Sequence, residues 1–158
     1  MARQHEYTAE ISWTGNRGTG TSDYRSYSRD VEVSAEGLPT VPGSADPVFR
    51  GDPARWNPEQ LLLASLSQCH LLSYLHLCAV NGVVVTSYLD RPVGTMAVTP
   101  EGGHFTSVVL HPRLEVAEAG MAEKALALHA QAHRACFIAN SVNFPVRNEP
   151  EVTVAGQA

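Results

Sequence analysis

The longest apolar stretch of the chain is NPEQLLLASLSQCHLLSYLHLCAVNG, residues 57–82. Asn57 is a favourable N-cap, Pro58 suits the first helical position, and Glu59 complements the positive end of a helix dipole. The pair Asn81-Gly82 is a typical helix stop. The stretch therefore predicts one long helix from residue 58 to about residue 80.

This helix is apolar on nearly every face. A helix that is apolar all round is usually buried all round, and a chain of 158 residues seldom surrounds such a helix by itself. We therefore expect a second subunit to cover part of it. The apolar positions are Leu61, Leu62, Leu63, Leu66, Leu71, Leu72, Leu75, Leu77 and Val80.

Strand patterns lie on both sides of the helix. Residues 7–14, 24–33, 83–88, 93–98, 105–116 and 151–154 are rich in strand formers. Residues 100–103 predict a hairpin turn, residues 118–135 predict a second helix, and the Pro- and Gly-rich residues 37–58 predict an irregular connection. The order of strands, helix, strands, helix and strand indicates one α+β domain over residues 1–158, with mostly antiparallel sheets.

Composition narrows the class of protein. The chain has 11 Lys and Arg against 16 Asp and Glu, which argues against a nucleic-acid surface. No apolar run long enough for a membrane span is free of polar interruption, and the N-terminus lacks the apolar core of a signal peptide. We therefore expect a cytoplasmic protein. Its three cysteines do not suggest a secreted disulfide framework.

Cys69, within the long helix, is the candidate nucleophile. A reactive thiol needs a lowered pKa, so it needs a nearby cation, which Glu59 cannot supply. An arginine that pairs with Glu59 and faces the sulfur would bridge the roughly 15 Å of helix between residues 59 and 69. Arg17 is the first candidate, and Arg25 and Arg29 follow.

Several short motifs occur together in a fixed order. They are residues 14–18 (TGNRG), residues 57–61 (NPEQL), Cys69, residues 132–133 (AH), Cys136 and residues 140–141 (NS). In this order they resemble the OsmC/Ohr family of osmotically inducible and organic hydroperoxide resistance proteins. The resemblance covers nearly the whole chain.

The resemblance implies mostly antiparallel sheets wrapped around two central helices in an intertwined homodimer. It implies thiol-dependent reduction of organic hydroperoxides, with Cys69 as the peroxidatic thiol and Cys136 as the resolving thiol. Arg17 would stabilise the thiolate and the departing alkoxide, and Glu59 would orient Arg17. A dithiol such as a lipoylated protein would reduce the resulting disulfide, and no metal or flavin would be required.

The sequence also departs from peroxidase members of the family. His70 follows Cys69 where those members often carry Phe, and Phe137 follows Cys136 where they often carry Pro. The connection over residues 35–56 is longer. These differences place the chain in an OsmC-like branch and leave Arg17 and Arg25 as alternative cations.

Other interpretations of the same residues stay open. Cys69 could be ordinary core, as we expect for Cys78, in a non-catalytic protein that binds an apolar ligand at the dimer interface. A thiol redox sensor or a metal-binding module using His129, His133 and Cys136 is a third hypothesis. Because that set lacks a clear fourth ligand, we expect the two histidines to lie on the helix surface.

Overall fold

The computed structural model describes residues 4–156, which form two compact units that divide between Leu61 and Leu62. The α+β prediction is confirmed. In chain order the elements are β1 (Glu10–Trp13), β2 (Val31–Ser34), β3 (Val41–Gly43), α1 (Pro58–Val80), β4 (Val85–Leu89), β5 (Val93–Thr99), β6 (Gly102–Leu110), β7 (Arg113–Val116), α2 (Ala122–Ala135), β8 (Val146–Asn148) and β9 (Glu151–Val154).

The N-terminal unit contains an antiparallel sheet in the order β1-β2-β3. Two predictions are corrected here. The strand expected over residues 24–33 begins only at Val31, because turns occupy the preceding segment. The connection expected to be irregular contains β3 and a 3₁₀ turn at Pro47–Phe49, where the Asp46 carboxylate accepts the N–H of Val48 at 2.8 Å.

Helix α1 begins and ends where the sequence predicts. Asn57 and Gln60 cap its start reciprocally: Asn57 Oδ1 accepts the Gln60 N–H at 2.8 Å, and Gln60 Oε1 accepts the Asn57 N–H at 3.2 Å. At its end, Gly82 adopts a positive φ of 70° and the Val83 N–H donates to the Cys78 carbonyl at 2.9 Å. Local chemistry therefore fixes both ends of the helix.

Burial along α1 differs from the all-round burial that we expected. Within this chain the buried residues form one stripe at intervals of four: Leu66, His70, Tyr74 and Cys78. Leu72 is 59% exposed and Val80 is 65% exposed. By length and composition alone α1 is long and apolar enough to cross a membrane, a test that core helices of soluble proteins also pass.

The C-terminal unit has two three-stranded sheets, ordered β4-β7-β9 and β5-β6-β8. The β4–β7 and β5–β6 pairs are antiparallel, and the β7–β9 and β6–β8 pairs are parallel. The predicted hairpin joins β5 to β6. The strand predicted over residues 105–116 is two strands, because the chain passes from one sheet to the other at His111-Pro112. The second passage, at Glu149-Pro150, lies beside it, and the Glu149 N–H donates to the Leu110 carbonyl at 2.8 Å.

Helix α2 packs its buried face against α1 and one of these sheets. It begins at Ala122, after a 3₁₀ turn, and so later than the predicted residue 118. One hydrophobic core lies around Tyr74 of α1 and includes Val83, Leu114, Val116, Ala125, Leu128 and Ala132. A second core consists of Leu66, Val108 and Leu110, with Phe105 and Phe144 packed against it.

Candidate active site

Cys69 and Cys136 come from the two helices of the C-terminal unit. Cys69 is half-buried on α1, directly before the buried His70. Cys136 ends α2, and only 1% of it is exposed. Its sulfur accepts the N–H of Ala139 at 3.4 Å, and its own N–H donates to the His133 carbonyl at 3.3 Å. The helix end therefore holds the Cys136 thiol in one place.

The two thiols are neighbours. The Cys69 thiol lies close enough to affect the pKa of Cys136, although 67 residues separate the two in the sequence. Burial raises the pKa of Cys136 to about 11; the N–H of Ala139 opposes this rise, and the Cys69 thiol adds to it. Cys136 is therefore a protonated thiol at neutral pH. All three cysteines are free thiols, and Cys78 is buried in the core, as expected.

A buried pair of histidines joins the same two helices. His70 Nε2 and His129 Nδ1 are 3.0 Å apart, and both residues are almost completely buried. The expectation that His129 lies on the helix surface is therefore wrong. Its ring stacks on Tyr74 with centroids 3.9 Å apart, and the Tyr74 hydroxyl donates to the Ala125 carbonyl at 3.0 Å.

Both imidazoles are neutral at physiological pH. Burial lowers the pKa of His70 to about 4, with a contribution from His133 that Asp90 opposes. Burial also lowers the pKa of His129 to about 4, and His70 adds to that effect. A neutral pair can share one N–H between a donor and an acceptor nitrogen. The i+4 spacing of His70 with Leu66 and Tyr74 was the sequence signal for its burial.

The proposed metal ligands do not converge. His129 Nδ1 is occupied by His70, and no group of three His, Cys, Asp or Glu side chains within residues 4–156 is arranged to hold a metal ion. His133 is half-buried at the last turn of α2. The metal-binding hypothesis therefore has no support in the described part of the chain.

The three candidate arginines belong to the N-terminal unit and differ in their surroundings. Arg29 donates to the carbonyls of Tyr27 at 2.8 Å and Tyr24 at 2.7 Å, and its guanidinium lies over both rings. Arg17 and Arg25 are exposed. Because Arg29 is already engaged, Arg17 and Arg25 remain the candidate cations.

The loop that carries Arg17 has a defined shape. Asn16 Oδ1 accepts the N–H groups of Gly18 at 2.9 Å and Gly20 at 3.0 Å. A Cβ atom at Gly15 would lie 2.0 Å from the Ser28 carbonyl oxygen, so only glycine fits there. The chain around Arg17 is therefore built as an ordered turn.

Glu59 lies in the first turn of α1. Its Oε2 atom is shielded from solvent and accepts no hydrogen bond from residues 4–156. A shielded carboxylate oxygen without a donor is costly, so this atom is suited to a cationic partner.

Comparison with known proteins identifies the family. A family model for OsmC-like proteins matches residues 51–151. The chain belongs to the OsmC-like family. An OsmC-like protein of unknown function from Vibrio cholerae O1 biovar eltor is 30% identical, with a TM-score of 0.84 over 94% of this chain and all of that one. No curated protein matches the chain.

Two more distant structures share the OsmC-like fold. The organic hydroperoxide resistance protein OsmC from Legionella pneumophila is 23% identical, with a TM-score of 0.66 over 95% of this chain and 99% of that one. An organic hydroperoxide resistance protein from Elizabethkingia anophelis is 17% identical, with a TM-score of 0.65 over 96% of this chain and 99% of that one.

Proposed function

We propose that this OsmC-like protein reduces organic hydroperoxides to alcohols through Cys69 and Cys136. The observation that carries the proposal is the proximity of the two thiols. Two proteins that share its fold bear the name organic hydroperoxide resistance protein, which favours this class of substrate. The activity would serve resistance to oxidative stress.

The difference in burial supports Cys69 as the peroxidatic thiol and Cys136 as the resolving thiol. Peroxide can reach the half-buried Cys69, whereas Cys136 is enclosed and protonated. A protonated thiol is a poor nucleophile toward peroxide, so the first attack belongs to Cys69. Cys136 acts in the second step, in which it attacks the neighbouring sulfur of the Cys69 sulfenic acid.

The reaction then needs no metal or flavin. The Cys69 thiolate attacks the terminal peroxide oxygen, an S–O bond forms, the O–O bond breaks, and the alkoxide leaves and takes a proton from solvent to become the alcohol. The Cys136 sulfur attacks the Cys69 sulfenic acid, an S–S bond forms, and the hydroxyl leaves as water with the proton of the Cys136 thiol. A dithiol such as a lipoylated protein returns two electrons and two protons to the disulfide.

Arg17 and Glu59 complete the proposal. Arg17 stabilises the Cys69 thiolate and the departing alkoxide, and Glu59 orients its guanidinium through the shielded Oε2 atom. The ordered turn around Arg17 and the lack of a donor to Glu59 Oε2 among the described residues support this assignment. Arg25 is the alternative, since it is also exposed.

We also propose that the protein is a single-domain, cytoplasmic homodimer that binds neither nucleic acid nor membranes. Leu72, Leu75 and Val80 form an exposed apolar face on α1, and a second copy would remove this face from water. The net charge of −5 is unfavourable for a nucleic-acid surface.

Mass spectrometry of the thiols tests the proposal. Fully reduced protein is mixed with cumene hydroperoxide or, separately, with hydrogen peroxide. We expect a Cys69–Cys136 disulfide that forms faster with the organic peroxide. Cys69→Ser should abolish peroxide consumption, and Cys136→Ser should let Cys69 proceed to sulfinic acid. Cys78→Ala is the matched control and should react as the wild type does.

Two results would reject the proposal. Full activity in Cys69→Ser would eliminate the mechanism. Unreacted thiols in the wild type would mean that the protein has the OsmC-like fold without peroxidase activity. The hypothesis of a non-catalytic protein that binds an apolar ligand would then be favoured. Comparing kcat/KM for Arg17→Lys and Arg25→Lys decides between the two cations, because only loss of the functional guanidinium lowers it.

A further inference from the structure

The buried imidazole pair has no part in the steps described above. Its hydrogen bond leaves His70 Nδ1 and His129 Nε2 without a hydrogen-bond partner among the described residues, although both atoms are shielded from solvent. Two buried polar atoms without hydrogen-bond partners lower the stability of the fold. Packing alone therefore does not account for a histidine at each position. Apolar residues of similar volume would fill the same space at lower cost.

The imidazole pair is adjacent to the thiol pair along α1 and lies two turns away from it along α2. His70 directly follows Cys69 on α1, and His129 precedes Cys136 by seven residues, which is two turns of α2. Each pair therefore links the same two helices. A hydrogen bond that fixes one helix against the other also fixes the separation of the two sulfurs.

Disulfide formation is sensitive to that separation. The two Cα atoms must lie about 4.4–6.8 Å apart, with a restricted dihedral angle about the S–S bond. The imidazole hydrogen bond is directional, because it needs one donor nitrogen and one acceptor nitrogen about 3 Å apart. A second directional bond joins the two helices, from the Tyr74 hydroxyl to the Ala125 carbonyl at 3.0 Å, but it lies farther from the cysteines along both helices.

We propose that His70 and His129 are positioning residues of the thiol pair: the hydrogen bond between their neutral rings holds α1 against α2 so that the Cys69 and Cys136 sulfurs meet. This inference rests on the proposed function, since it concerns the closure of the same disulfide. The groups around the pair are Tyr74, whose ring stacks on His129, together with Asp90 and His133, whose charges act on His70.

Equilibration with glutathione measures the positioning directly. Glutathione disulfide oxidises the two thiols to the Cys69–Cys136 disulfide and is itself reduced to two glutathione thiols, so the equilibrium constant reports how well the sulfurs are placed. We expect His129→Leu to lower this constant about tenfold, because coupling between two sites typically changes an equilibrium constant by about 5- to 150-fold. A tenfold change corresponds to about 30 mV in the reduction potential.

A conservative double variant separates positioning from packing. Gln at position 70 and Asn at position 129 place neutral amides near the original nitrogens, so His70→Gln combined with His129→Asn should restore the constant to within about threefold of wild type. His76→Leu, at an exposed position on the same helix, is the control and should leave the constant unchanged. Circular dichroism verifies that each variant is folded.

Three outcomes overturn the inference. One is a folded His129→Leu protein with the wild-type constant, and another is a double variant as impaired as His129→Leu. The third applies even if His129→Leu fails to fold. Because coupling between sites is reciprocal, the imidazole N–H of the wild type should exchange with solvent about tenfold more slowly in the disulfide form than in the dithiol form. Equal exchange rates would reject the coupling.

The glutathione measurement does not depend on peroxide. A wild-type protein that forms the disulfide with glutathione but ignores cumene hydroperoxide would reject the proposed function and leave the positioning role standing. If the wild type reduces peroxide and His129→Leu keeps the wild-type equilibrium constant, the positioning role is rejected and the proposed function stands.

Discussion

Acidification should destabilise this protein through His70 and His129. In the unfolded chain a histidine has a pKa near 6.5, whereas burial lowers the pKa of each of these residues to about 4 in the folded chain. Between these two values the unfolded chain binds more protons than the folded chain. These two histidines therefore leave the free energy of unfolding almost unchanged above about pH 6.5. They lower it progressively as the pH decreases toward 4.

The size of the effect follows from the two pKa values. Between pH 7 and pH 4.5, each imidazole should lower the free energy of unfolding by about 2 to 3 kcal/mol, and the pair by about 5 kcal/mol. Small domains have a total of about 5–15 kcal/mol. The loss of stability is large because both rings are almost fully buried and the two bonded nitrogens are 3.0 Å apart. A proton taken up by either ring would place a positive charge in a core without water.

Urea denaturation at pH 7 and pH 4.5, at one fixed protein concentration, measures the loss. The double variant His70→Gln with His129→Asn is the control, because it keeps every carboxylate but removes both imidazoles. We expect the wild type to lose about 5 kcal/mol more than the double variant over this interval. Parallel losses in the two proteins would refute the assignment of acid sensitivity to the buried pair.

Three further substitutions test the fold and the assembly. Asn57→Ala removes the reciprocal cap with Gln60 and should lower the free energy of unfolding by about 1 kcal/mol; an unchanged urea midpoint would contradict the capping role. Leu66→Ala opens a cavity at a fully buried position and should cost about 2–5 kcal/mol, so a smaller loss in the same urea titration would mean that the core closes around it. Leu72→Glu places a charge on the exposed apolar face of α1 and should convert the proposed homodimer to monomers in sedimentation velocity, whereas a variant that sediments as wild type would place the interface elsewhere.

Local signals predicted α1 well. Asn57, Pro58 and Gly82 each act within one turn of a helix end, so the sequence alone is enough to place both ends. The strand β3 was missed because it is only three residues long and contains Pro42. A proline is tolerated there since β3 is an edge strand, and edge position is a property of the whole sheet.

Long-range pairing limited what could be predicted of the site. His129 was expected on the helix surface because its set of candidate metal ligands lacks a clear fourth member. It is instead buried beside a second histidine 59 residues earlier in the chain. The pairing of Cys69 with Cys136 followed from family resemblance, not from their spacing. A single sequence shows which residues are polar. It does not show which buried polar groups form hydrogen bonds with each other.

The two adjacent crossings at His111-Pro112 and Glu149-Pro150 affect the order in which the protein can fold during synthesis. Strands β8 and β9 complete one sheet each, and they lie within nine consecutive residues, Val146 to Val154. Neither sheet has its third strand until this segment is made. A nascent chain that ends before Val146 leaves β6 and β7 with unpaired edges at the same time, and such edges favour aggregation. A truncation within residues 146–154 would therefore disturb both sheets at once, although neither thiol lies in that segment.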